Sequence, residues 1–179
     1  MKGLVFTEFI DLVDEKFSLE TSERVIEMCD LPSGGVYTSV GTYDAQEMMA
    51  LVATLSDLTG VSVAALLNEF GRHLFRRFVV AFPEFFEGIG SATEFLPRVN
   101  DYVHLEVRKL YSDAELPTFS CETPSPETMV MTYRSATNVP DLAEGLILEC
   151  IDYFGDPLVV SREAGQGDSP TTVFTIAPR

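Results

Sequence analysis

Along the first two thirds of the chain, apolar residues recur at the spacing of one helix face. Val5, Phe6, Phe9, Ile10, Val13 and Phe17 follow it, which predicts an amphipathic helix over residues 2–17. Thr21 or Ser22 can cap a second helix running to about Cys29, ended by Leu31-Pro32-Ser33-Gly34-Gly35. A third starts at Thr42 or Asp44, carries Met48, Leu51, Val52, Leu55 and Leu58, and closes at Gly60. Ser62 opens a longer fourth with Leu66, Leu67, Phe70, Leu74, Phe75 and Phe78, stopped by Pro83. That helix is apolar on more than one face, the pattern of deep burial or of a pocket wall. After a loop with Phe85, Phe86, Gly88 and Gly90, the stripe Leu96, Val99, Val103, Val107 and Leu110 predicts one continuous helix from about Ala92 to Ser112.

Beyond Pro117 the period changes from helical to two. Thr118-Phe119-Ser120-Cys121-Glu122 and Thr128-Met129-Val130-Met131-Thr132-Tyr133 alternate, and Pro124-Ser125-Pro126 between them reads as a hairpin turn. A helix over Asp141–Tyr153 ends at Gly155. Strands over Pro157–Arg162 and Thr171–Ile176 follow, joined by Gly165-Gln166-Gly167-Asp168. The fold class is therefore α+β: an N-terminal helical part, then helices packed on a four-stranded antiparallel sheet. Residues 1–179 read as a single domain, with a helical front (1–62) and a mixed back (63–179) sharing one core.

Composition narrows the function classes. The 179 residues are 46% hydrophobic, enough for a sizeable core. A net charge of −16 repels nucleic-acid phosphates and anionic membranes; it marks a solvated surface, or one that meets a basic protein. Cys29, Cys121 and Cys150 are too few and too far apart for a disulfide framework, which fits a reducing cytoplasm. The opening apolar run reaches Glu8 and Asp11 too soon for a secretory signal, and no stretch of 18 apolar residues spans a membrane.

Enzyme motifs are absent: no GxSxG, Walker loop, HExxH or strand-following GxGxxG, so the chain reads as not an enzyme. His73 and His104 fall on different predicted helices, and a zinc site would need them to converge with scattered cysteines. Cys121, alone in a strand, reads as core before nucleophile. His104 sits at the edge of its helix's apolar stripe, roughly 60° from Val107. A neutral imidazole in an apolar cleft suits the proximal side of a five-coordinate haem iron, although a lone helix histidine is more often structural. Tyr133 and Ser135, two apart on a strand, share a face and can aim two hydroxyls at one anion such as a haem propionate.

With these residues in place, the chain resembles the haem nitric oxide/oxygen binding (H-NOX) family, bacterial stand-alone sensors related to the haem domain of soluble guanylate cyclase. The resemblance runs from Met1-Lys2-Gly3 through Phe82-Pro83-Glu84-Phe85-Phe86 and Phe95-Leu96-Pro97-Arg98-Val99-Asn100-Asp101-Tyr102-Val103-His104 to Pro117. It ends with Tyr133-Arg134-Ser135 and Gly145-Leu146-Ile147. It implies haem b (iron protoporphyrin IX) as cofactor, His104 as iron ligand, Pro117 pressing on the porphyrin, and Tyr133 with Ser135 on the propionates. The family's YxSxR motif places its arginine at residue 137, where this chain has Thr137. A hydroxyl does not replace a bidentate guanidinium, so weaker cofactor anchoring is expected. Arg134, one residue from Ser135, should face the other way.

Oxygen-binding members carry a distal tyrosine with polar support, positions that here are Leu142, Phe9 and Leu74. With Val5 and Phe78 they imply an apolar pocket, and hence a binder of NO and CO that does not retain oxygen. The resemblance further implies that NO weakens the link to His104, relaxes the porphyrin against Pro117 and shifts the front against the back. The signal would then pass to a histidine kinase or a cyclic-di-GMP enzyme. The alternative reading is a haem-independent interaction module on the same fold. A C-terminal zinc site, present in some members, has at most Cys150 as a remnant here.

Overall fold

The computed structural model describes residues 1–165 and 170–179, apart from the side chain of Leu110. The turn expected over Gln166-Gly167-Asp168 thus lies outside the described residues, as does the place of Leu110 in its stripe. Four helices open the chain: α1 (Gly3–Lys16), α2 (Leu19–Met28), α3 (Ala45–Thr59) and α4 (Val63–Ala81). Asp44 caps α3 through the Gln46 N–H, and Ser62 caps α4 through that of Ala65. The second helix starts earlier than its sequence suggests. Its cap is Ser18, whose hydroxyl accepts from Thr21 N–H, so Thr21 and Ser22 already lie inside the first turn.

The expected continuous helix from Ala92 to Ser112 is broken. Helix α5 (Ala92–Phe95) ends after one turn, Val99–Val103 forms a wide π turn, and α6 (His104–Leu110) begins at the histidine. Pro97 accounts for the first break, because it has no N–H and its ring crowds the carbonyl four residues back. In the π turn the His104 N–H reaches back five residues to the Val99 carbonyl.

Strands β1 (Thr118–Ser125) and β2 (Thr128–Arg134) form the hairpin, followed by α7 (Pro140–Phe154), β3 (Leu158–Ala164) and β4 (Thr171–Pro178). They make one antiparallel sheet in the order β1-β2-β4-β3. Alternation along β2 and β4 turns Met129, Met131, Tyr133, Phe174 and Ile176 to a single buried face. Ala143, Ile147, Cys150 and Ile151 of α7 cover it, together with Phe75, Phe85 and Phe95. A second core joins α1, α2 and α3 through Phe6, Phe9, Val13, Val25, Leu51 and Leu55.

Helix α4 serves both cores, giving Leu67 and Phe70 to the front and Phe75 to the back. It lies tightly against α7. A Cβ on Gly71 would stand 2.2 Å from the Leu142 carbonyl oxygen, and one on Gly145 would stand 2.0 Å from that of Asn68. Only glycine allows two helices this close. Among the described residues no single helix is long and apolar enough to cross a membrane.

Candidate functional site

Where α1, α4, α7, the π turn and the start of β1 converge, two adjoining cavities share Lys2, Val5, Phe78, His104 and Leu116 as walls. The first, about 190 Å³, is almost wholly apolar, lined by Phe75, Phe82, Phe85, Phe86, Phe95, Val99, Val103 and Val107 among others. The second, about 220 Å³, runs past Leu74, Leu142 and Pro117 to Tyr133, Ser135 and Thr137. The hydroxyl residues Tyr133, Ser135 and Thr137 thus gather at one end of an otherwise greasy cleft. A wider polar recess of about 550 Å³ opens beside that end, and Thr137 belongs to both.

His104 heads α6 and turns its ring into both cavities, 5.8 Å from the Phe119 ring centroid. Burial pushes its imidazolium down to about 4; the Arg108 guanidinium adds to this, and the Pro117 carbonyl opposes it. At neutral pH the ring is therefore uncharged and keeps a lone pair for a metal. Its Nδ1 is buried and makes no hydrogen bond of normal geometry. The Pro117 carbonyl is thus at most a weak acceptor for the ring N–H, and the ring's bonding capacity is only partly used within the protein.

Tyr133 is 2% exposed, and its hydroxyl accepts from the Val139 N–H at 3.3 Å. That leaves its proton for another acceptor. The Ser135 and Thr137 hydroxyls stand 3.0 Å apart, and Ser135 Oγ also accepts from the Thr137 N–H at 3.3 Å. Arg134 is exposed and lines neither cavity, as its position one residue out of phase requires. The sequence-derived residues therefore meet in one place, with one exception. Phe9 packs edge-on against Phe70 in the front core, ring centroids 5.2 Å apart, and lines neither of the two cavities.

Several wall residues escape a sequence reading, above all Lys2, Tyr111 and Leu116. Lys2 does carry a signal. It occupies the N-cap of α1, where the helix dipole disfavours a cation, so its presence asks for an anion nearby. The thiols offer no nucleophile here. Burial pushes Cys121 up to about 11 and raises Cys150 further still, so neither is a thiolate at neutral pH. Among the described residues no group of three or more His, Cys, Asp or Glu side chains could hold a metal by itself. Any iron here would need ligands from a cofactor. The residues present fit a porphyrin: apolar walls for the ring, an uncharged imidazole for the metal, and hydroxyls with an ammonium at the end where carboxylates belong.

Comparison with known proteins agrees with this geometry. The family model described as Haem-NO-binding matches residues 2–162. The unliganded Fe(II) H-NOX protein from K. algicida is 36% identical, with a TM-score of 0.92 over 100% of this chain and 97% of that one. The H-NOX from Shewanella woodyi, solved in its Fe(II)CO state with IWP-051 bound, is 35% identical, with a TM-score of 0.85 over 100% and 95%. The S. oneidensis H-NOX in the Fe(II)NO state shares the fold at 21% identity and a TM-score of 0.89, covering 100% and 99%. No curated protein matches the chain. With a family match over most of its length and homologous structures spanning all of it, this chain belongs to the haem-NO-binding (H-NOX) family.

Proposed function

We propose that the protein is a haem-based gas sensor that binds NO and CO, with haem b held through His104. The observation that carries this reading is the uncharged, hydrogen-bond-deficient imidazole facing an apolar cleft. The NO- and CO-ligated states of the similar H-NOX structures support it as well. A bound haem supplies a ferrous iron able to take a diatomic gas. The chain's part is to seat and bias it. His104 holds the metal, and Pro117 shapes the floor beside it. Tyr133, Ser135 and Thr137 meet the carboxylate edge, while Val5, Leu74, Phe78 and Leu142 keep the gas side apolar. Phe9 backs that wall only from a distance, through the front core.

The reading extends to a relay. A cytoplasmic protein partner, a histidine kinase or a cyclic-di-GMP enzyme, would sense a shift of the helical front against the back. Helix α4 belongs to both cores and is the element such a shift must pass through.

Haem uptake by the parent and by His104→Gly tests the core of this reading. The parent is expected to show a Soret band after reconstitution; the variant should lose haem readily and recover the band with added imidazole. Equal retention by both proteins would contradict His104 as the ligand. A parent without a Soret band would favour a haem-independent interaction module, for which Thr137 in place of an arginine speaks.

A further inference from the structure

If the cleft holds a haem, its two carboxylates need a cation at the polar end, and Thr137 brings none. One cation does stand there. Among the described residues, Lys2 is the only lysine or arginine that lines either of the two cavities shared with His104. Its side chain is 12% exposed, and the ammonium lies 5.1 Å over the Tyr111 ring. It donates to Thr42 Oγ1 at 2.7 Å and to the two Asp113 carboxylate oxygens at 3.1 and 3.2 Å. The backbone holds it in place. Lys2 bridges to Thr42, and the next two N–H groups of α1 are taken by the carbonyls of Gly41 at 2.8 Å and Ser39 at 3.0 Å.

Its partner is poorly matched to it. Asp113 is 57% exposed and is shared with the Thr42 hydroxyl, from which it also accepts, whereas Lys2 is largely covered against the cleft at a helix end that disfavours positive charge. A cation so placed gains from a second anion arriving on the cleft side, because attraction strengthens as water is excluded.

We propose that Lys2 is the charged grip for a haem carboxylate in this protein, the role its residue 137 cannot fill. This rests on the haem reading above. The cofactor's carboxylate then meets Lys2 together with the Tyr133 and Ser135 hydroxyls, which line the same cavity.

The test compares haem with its dimethyl ester, which keeps iron and ring but has no carboxylate charge. Loss of each to excess apomyoglobin is timed in the parent, Lys2→Met, Lys2→Arg and Asp113→Asn. Lys2→Met is expected to release haem about tenfold faster than the parent, with Lys2→Arg close to parent. The ester should leave the parent and Lys2→Met at the same rate. Asp113→Asn, which breaks the same ion pair but keeps the ammonium, should retain haem at least as well as the parent. A purely structural role for the pair predicts instead that Lys2→Met and Asp113→Asn lose haem alike, and that outcome overturns the proposal. So does an equal effect of Lys2→Met on haem and ester. A parent that takes up neither porphyrin overturns the haem reading and this inference together, whereas a parent that holds both with no effect at Lys2 overturns this inference alone.

Discussion

His104 links stability to acidity in the haem-free protein. Its folded pKa, about 4, lies below the value of about 6.5 it regains on unfolding, so between those values the unfolded chain binds the extra proton. The native contribution is whole above the unfolded value and is lost as pH falls toward the folded one, at most on the order of 3 kcal/mol. Urea midpoints for the parent should therefore drop between pH 7 and pH 4.5, and His104→Leu should flatten that part of the curve. Parallel curves would contradict a half-buried His104 held uncharged. Thr137 bears a second prediction at this scale. Thr137→Arg restores a guanidinium beside Ser135 and is expected to slow haem loss by about tenfold; an unchanged rate would mean that position 137 does not limit anchoring.

The site's individual residues differ in how visible they are in a sequence. His104, Tyr133 and Ser135 can be found because spacing and chemistry point the same way. Lys2 hides because the contact that defines it, Asp113, lies 111 residues away. Phe9 shows the opposite error. The resemblance puts it in the pocket wall, whereas the structure packs it against Phe70 in the front core, because one apolar helix face serves both core and cleft.

At the scale of elements, the segment from α5 to α6 is where pattern and structure part. The stripe Leu96, Val99, Val103 and Val107 suggests one helix, yet Pro97 and the π turn divide it. A π turn adds a residue to one turn, so it rotates everything after it and sets where His104 faces. Of that stripe only Leu96 is fully buried, while Val99, Val103 and Val107 line the cleft half-buried, so periodicity marks the apolar face without telling core from cavity wall. The α4–α7 crossing gives this scale its test. Gly145→Ala places a methyl 2.0 Å from a backbone oxygen that cannot give way cheaply. It is expected to cost about 2 kcal/mol and to lower the thermal midpoint by roughly 4–8 °C. An unchanged midpoint would mean the helices are not held at this distance. The four opening helices, by contrast, are legible to within a few residues of their ends, because binary pattern and caps agree there; the hairpin is less so, since Pro124 and Ser125, expected in the turn, extend β1.

Across the whole molecule, two cores meet along α4, and the cleft lies between them, walled by both. One of its walls combines Val5, Leu74, Phe78 and Leu142, whose side chains cannot donate a hydrogen bond. Bound oxygen gains from such a donor far more than NO or CO does. Leu142→Tyr supplies one and is expected to lengthen the life of the oxygen-bound spectrum in air; no change would mean that another feature of the cleft sets ligand choice.

Whether the protein senses NO through haem is decided by the absorption spectrum of the reduced protein supplied with haem, before and after NO and then in air. A Soret band that shifts on adding NO, with no lasting oxygen-bound spectrum in air, is the predicted result. A protein that takes up no haem, or whose Soret band NO leaves unmoved, would contradict it.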